Sequence, residues 1–137
     1  MATTTRSLNA QERRFLENPF PGEVTTLRPD GSPHTTVVWV DVDEEGAMFN
    51  TAVGRAKERH LRNDPRVSLM VVDPDDQYRW VSLNGTAELT IEGADEQIDR
   101  LAKKYLGKDE YPSRAPGEQR VKVRIRAERV EPRGLGD

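Results

Sequence analysis

VKVRIRAE, residues 121–128, sets Val121, Val123, Ile125 and Ala127 at every second position, with Lys122, Arg124, Arg126 and Glu128 between them. Successive side chains of a strand point to opposite faces, so this period of two predicts a strand with one apolar and one solvated face. Upstream, Gln77 to Ile91 is long and β-like, and Asn84-Gly85 interrupts it where a bulge or sharp bend is expected. RVSLMVV at 66–72 reads as a further strand, turned back by Asp73-Pro-Asp-Asp76. His34 to Val42 carries Val37, Val38, Trp39, Val40 and Val42, which predicts one strand buried on much of both faces. Glu44-Glu45-Gly46 turns it into a hairpin partner, Ala47 to Thr51, and Val24 to Leu27 is a short strand ended by Pro29-Asp-Gly31.

Helical signals fall between these runs. Asn9-Ala-Gln-Glu12 is a capping box opening a helix that carries Phe15 and Leu16 and stops before Pro19. Arg55 to Asn63 predicts a short helix closed by Asp64-Pro65. Ile98, Leu101, Ala102 and Tyr105 share one helical face, with Gly107 just past its end. Lys108 to Glu118 holds Pro112, Pro116 and Gly117 and reads as loop. The expected order is helix, three strands, short helix, two strands, helix, strand. Hairpin-linked strands with few helices predict a mainly β (α+β) fold, an antiparallel sheet curled into a barrel. One domain is expected over residues 9–131, after a disordered N-terminus (1–8) and before a C-terminal tail (132–137).

Composition bounds the function. With 34% apolar and 33% charged residues in 137, the core must be small, and burial between subunits would help it. No run approaches the roughly 18 apolar residues of a membrane span. The absence of cysteine excludes disulfides, thiolate metal sites and cysteine nucleophiles, and it fits a cytoplasmic protein. His34 and His60 are the only histidines, and nothing has metal-site spacing, so no metal is expected. The net charge of −3 argues against nucleic acid as a partner. Yet Gly54 to Arg66 holds five basic residues against two acidic, a local +3 that suggests one localised anion.

The segment Asn50-Thr-Ala-Val-Gly-Arg-Ala-Lys57 is a strand end, a glycine loop and a helix start. N–H groups in a first helical turn have no internal acceptor and suit a phosphate. Arg55 can add a forked pair of hydrogen bonds, Lys57 a point charge and Thr51 a hydroxyl. A solvated surface helix with cations at its start is the competing reading. Arg55, Arg59 and Arg62 form a stripe read as a solvated face, and His60 on the same helix is expected in solvent. His34, opening a strand after Pro33, is expected to face the cofactor cleft; neither histidine is assigned a catalytic role.

Phe49-Asn-Thr-Ala-Val-Gly-Arg-Ala-Lys57 followed by Leu61-Arg-Asn-Asp-Pro-Arg-Val-Ser-Leu69 resembles the cofactor-binding core of the pyridoxamine 5′-phosphate oxidase-like split-barrel superfamily. Asp30-Gly-Ser-Pro33, Val37-Val-Trp-Val40 and Gly85-x-Ala87 complete an ordered pattern over roughly residues 10 to 130. Within the superfamily the chain most resembles flavin/deazaflavin oxidoreductases that use coenzyme F-420.

The resemblance implies a homodimeric FMN-binding-like split barrel that moves a hydride between coenzyme F-420 and a small organic acceptor. It implies that Thr36, Val37 and Val38 line the deazaflavin ring, and that Asn50 and Thr51 approach the ribityl–phosphate linker. Arg55, Ala56 and Lys57 would hold the phosphate, and Tyr78 and Trp80 would reach the cofactor from the partner subunit. An aromatic pair covering the core or the interface is the alternative for those two. The chain departs from the FMN oxidases, which carry Arg and Lys where it has Thr35 and Val40, and Gln where it has Trp80. Their C-terminal Arg/Trp motif is absent. Pyridoxamine oxidation is therefore not expected, and FMN, as cofactor of a reductase or oxidase, ranks behind F-420. A non-catalytic F-420 carrier is the third reading.

Overall fold

The computed structural model describes residues 5–136. The elements in chain order are α1 (Ala10–Glu17), β1 (Gly22–Leu27), β2 (Pro33–Val38), β3 (Asp41–Asp43), β4 (Gly46–Ala52), α2 (Ala56–Asn63), β5 (Arg66–Asp73), β6 (Asp76–Thr90), α3 (Ala94–Leu106) and β7 (Arg120–Arg133). The strands form one sheet in the order β2-β1-β5-β6-β7-β4-β3, every pair antiparallel. It curls into the half-barrel of a split-barrel fold. Inside lie Val24, Val38, Phe49, Leu69, Val71, Val81, Leu83, Val121, Val123 and Ile125, with Phe15 and Leu16 of α1 in the same cluster. The alternation read in residues 121–128 is the one observed: its apolar members are buried, and Arg124 and Arg126 reach outward to Asp43 and Glu88.

Local signals are satisfied as their chemistry requires. Asn9 Oδ1 accepts from the Glu12 N–H at 2.8 Å while Glu12 Oε1 accepts from the Asn9 N–H at 2.9 Å, a complete capping box. Arg6 adds two bonds to the buried Glu12 carboxylate. Of the N-terminal stretch expected to fray, residues 1–4 lie outside the described residues; Arg6 donates its backbone N–H to the Ala127 carbonyl, and Leu8 packs against the core. At the other end β7 runs through Arg133, so the expected tail begins inside a strand. The β6–β7 register shifts between Asn84 and Gly85, at the predicted bulge. A Cβ on Gly85 would stand 1.9 Å from the Arg126 carbonyl oxygen.

One expected element is corrected. The single strand foreseen over His34 to Val42 breaks into β2 and β3, making four strands before α2. Both backbone groups of Val40 are taken by α3: its N–H donates to the Tyr105 hydroxyl at 2.9 Å and its carbonyl accepts from Lys104 Nζ at 2.6 Å. Tyr105 donates onward to the Phe20 carbonyl and Lys104 to that of Leu16. Burial lowers the Lys104 ammonium to about 8 and raises the Tyr105 phenol to about 12. Strand hydrogen bonding therefore stops at Trp39-Val40, and Trp39 is handed to α3.

His60 is also corrected. It is 8% exposed, its Nδ1 lies 2.8 Å from Thr26 Oγ1, and its ring meets His34 edge-on at 5.1 Å. α2 therefore turns a polar face inward onto β1 and β2. His34 looks at His60 rather than at a cleft, and its Nδ1 is buried without a partner.

Two outcomes follow from this packing. Gly85→Ala should cost more than about 4 kcal/mol, since backbone rather than a flexible side chain meets the new methyl; urea denaturation giving a wild-type midpoint would refute the close approach. Burial, then the charges of His34, Arg28, Arg59 and Lys57, holds His60 below its ordinary value. A folded value below the unfolded one means that the unfolded chain binds the proton better. Stability should then be fully present above about pH 6.5 and decline as pH falls through the folded value. His60→Gln should flatten that decline in denaturant midpoints read from pH 7.5 to 5; an identical slope would assign it elsewhere.

Candidate functional site

β4 ends at Ala52, and the chain passes through Val53 and Gly54 into α2. Gly54 has φ +91°, a left-handed conformation that glycine adopts freely. Its N–H donates to Glu58 Oε1 at 2.9 Å, and the Arg59 guanidinium bonds its carbonyl, so helix side chains hold the loop from both sides. The Gly54 N–H, then Arg62, keeps the Glu58 carboxyl below the usual range. Arg55 stands at the N-cap with no capping acceptor, which leaves the first-turn N–H groups to water or an anion.

A cleft of about 320 Å³ opens beside this corner. Its polar end is Asn50, Thr51, Arg55, Lys57 and Arg120; its apolar end includes Trp39, Ile98, Leu101, Leu106 and Tyr111. Trp39 stacks on Tyr105 (5.5 Å between centroids, 11° between planes) and meets the edge of Tyr111 at 6.1 Å. The aromatic wall is thus built by the break after β2, by α3 and by the 107–119 loop. Asp99 fixes that loop by accepting the Tyr111 N–H and, with Asp95, pairing Arg114.

Lys57 is half-buried and donates to Thr36 Oγ1 at 3.1 Å. Burial, then the charges of Arg55 and Arg120, lowers its pKa. Thr51 is 2% exposed, and its Oγ1 has no hydrogen-bond partner. A buried hydroxyl without a partner is costly, and this one lies in the wall of a cleft whose nearest charges are cationic. Arg120 is 3% exposed, donates from Nε to Asn50 Oδ1 at 2.8 Å and from a terminal nitrogen to Glu118 at 2.7 Å, and lies over the Tyr111 ring. Burial alone would raise the Glu118 carboxyl, but Arg120, with Arg55 beside it, holds it below the ordinary range.

Among the expected cofactor residues, Val37, Val38, Asn50, Thr51, Arg55 and Lys57 all line this cleft, and Thr36 touches it through Lys57. Ala56 opens α2 at its rim. Asn50 has its amide committed to protein: Nδ2 donates to the Ala94 carbonyl and to Gln97, and Oδ1 accepts from Arg120. It braces β4 against α3. Tyr78, 70% exposed, and Trp80 lie on β6 away from the cleft of their own chain. Sequence reasoning missed Arg120, Glu118, Trp39 and Tyr111 as site residues. Arg120 has the parity of the solvated side chains of β7, and it is enclosed by partners from elsewhere in the chain, Asn50 of β4 and Tyr111 and Glu118 of the 107–119 loop.

A larger depression between α1 and the β3–β4 turn is lined by charges of both signs, Arg13 and Arg14 against Glu17, Asp43, Glu44 and Glu45. Neither partnerless buried polar atom found among the described residues lies there. Among those residues no helix is long and apolar enough to cross a membrane.

Comparison with known proteins agrees with this fold. Residues 8–133 match the pyridoxamine 5′-phosphate oxidase family. A coenzyme F-420-dependent biliverdin reductase of Mycobacterium tuberculosis is 28% identical over 132 residues, spanning 95% of this chain and 91% of its own. A solved F-420 reductase superposes with a TM-score of 0.75 at 28% identity, over 87% of this chain and 94% of its own. A conserved hypothetical protein of Mycobacterium tuberculosis superposes with a TM-score of 0.73 at 27% identity, over 98% and 91% of the two chains. The half-barrel, the glycine corner and the match across nearly the whole chain together place this protein in the pyridoxamine 5′-phosphate oxidase family, where its similarity runs to the F-420-dependent reductases.

Proposed function

We propose that the chain is a cytoplasmic oxidoreductase that seats the phosphate of coenzyme F-420 at the Thr51–Lys57 corner and delivers a hydride to a small conjugated acceptor. The observation that carries this reading is the buried, unpartnered hydroxyl of Thr51, a residue that lines the same cleft as Lys57, Arg55 and Arg120. A phosphate there would accept from the hydroxyl, from Lys57 and from α2's first turn, and would offset the burial, and then the repulsion from Arg55 and Arg120, that lower Lys57. The residues present therefore fit a phosphate-bearing cofactor.

When bound, the deazaflavin supplies the hydride, and the protein's part is to bind, orient and exclude water. Arg55 and Lys57 anchor one end. Val37 and Val38 offer an apolar lip, and Trp39 with Tyr111 forms a dry wall, so that attraction at the cationic end acts in a low dielectric. Val37 is 68% exposed and lies in one row with Glu23, Met70 and Ser82 across the outer face of the sheet, the face that also carries Tyr78, Trp80 and Val72. A second copy packed on this face would reach the mouth of the cleft and cover Trp80 and Tyr78. We assign the homodimer interface there.

Absorbance titration of the purified protein with F-420 and with FMN tests the class: saturable F-420 binding is expected, and FMN binding with none of F-420 would select the flavin reductase reading. Lys57→Ala should lose about 1.5–3 kcal/mol of cofactor affinity with its fold intact, and Thr51→Val a smaller amount. Unchanged dissociation constants in both would remove the phosphate from this corner. Turnover with a panel of conjugated acceptors separates the enzyme from a carrier. Trp80→Ala should weaken self-association in sedimentation; a monomeric wild type would overturn the shared-site reading.

A further inference from the structure

Glu118 is the carboxylate that, among the described residues, pairs with two cations of the cleft, Arg55 and Arg120, and no part of the proposed binding scheme uses it. It lies near the end of the 107–119 loop, is half-buried, and gives one oxygen to each of two arginines: Oε1 to Arg120 at 2.7 Å and Oε2 to Arg55 at 3.3 Å. With Lys57 as the third cation, the corner carries a net charge of +2 rather than +3.

We propose that Glu118 sets the charge preference of the phosphate seat, favouring a phosphodiester monoanion over a phosphomonoester dianion. This rests on the phosphate seat assigned above. Coulomb attraction to a cationic corner grows in proportion to ligand charge, whereas the cost of stripping water from the anion grows with its square. Lowering the corner by one unit therefore penalises a dianion about twice as much as a monoanion. A phosphomonoester carries about −1.5 to −2 at neutral pH; a diester carries a single charge. The fork from Glu118 to Arg55 also occupies the most exposed of the three cations, so a second phosphate charge finds one donor already bonded. Specificity here comes from a repulsive element retained in the site.

The experiment compares two probes that share one ring and differ only at the phosphate, FMN as monoester and its methyl phosphodiester, in binding titrations of the full chain, each referred to its own wild-type value. Glu118→Gln should tighten the methyl diester by about fivefold and FMN by about twentyfold, lowering the ratio of the FMN to the diester dissociation constant. Because that variant leaves buried Arg120 without its counter-charge, Glu118→Asp is the conservative arm. It keeps a carboxylate for Arg120 but withdraws it from Arg55, and should lower the ratio by about twofold. A ratio that is unchanged or raised in either folded variant overturns the proposal. Lys57→Ala separates the two levels: if it leaves both affinities at wild type, the seat itself is wrong, whereas a Lys57 effect with a flat Glu118 ratio sinks only the role of Glu118.

Discussion

The site depends on keeping one guanidinium out of water. Arg120 lies at the start of β7, where that strand, β4, α3 and the 107–119 loop converge, and a charge so enclosed must find its partners within the protein. It has the Asn50 amide oxygen, the Glu118 carboxylate and the face of Tyr111. The amide belongs to β4, and the carboxylate and the ring to the two ends of the 107–119 loop. Satisfying Arg120 thus fixes strand, loop and aromatic wall relative to each other, and Asn50 extends the brace to α3 through Ala94 and Gln97. Losing one partner would leave a buried charge uncompensated, a far larger penalty than the pair's net contribution while intact.

Around that satisfied centre, other groups are left unsatisfied. The Thr51 hydroxyl is buried without a partner, the α2 N-cap has no acceptor, and Lys57 is held near two other cations with only a threonine hydroxyl for company. Folding alone offers no reason to keep three such costs within one corner, because replacing Thr51 by valine or Lys57 by a neutral residue would remove them. A bound anion answers all three together. Binding sites commonly concentrate local frustration of this kind, and here it sits on a rigid frame of strand end, glycine loop and helix start.

Much of the frame could be read from residue order because it follows local rules. The capping box at Asn9, the alternation of Val121 to Ala127 and the glycine bulge at Gly85 involve near neighbours in sequence, and each is found where it was expected. The cationic corner was legible for the same reason, since Asn50 to Lys57 is one continuous stretch. What escaped reading was set by distant partners. The strand break at Val40 is caused by Lys104 and Tyr105, more than sixty residues away. Burial of His60 requires His34 and Thr26 opposite it, and burial of Arg120 requires Asn50, Tyr111 and Glu118 to close on a strand face whose alternation reads as solvated. Period tells which residues share a face; it does not tell what covers that face.

The two corrections meet in the cleft. Because Val40 is withdrawn from strand pairing, Trp39 is free to stack on Tyr105, and this stack is the wall facing the phosphate corner. Because His60 turns inward with Lys57 one helical turn before it, α2 presents a polar inner edge on which the ammonium can reach Thr36. Had the strand run on to Val42 and His60 pointed to solvent, the apolar wall and the buried cation would both be missing. The features that break the simple sequence pattern are therefore those that make a cleft with one dry aromatic end and one cationic end. A cofactor joining a planar ring to a phosphate needs that pairing of surfaces.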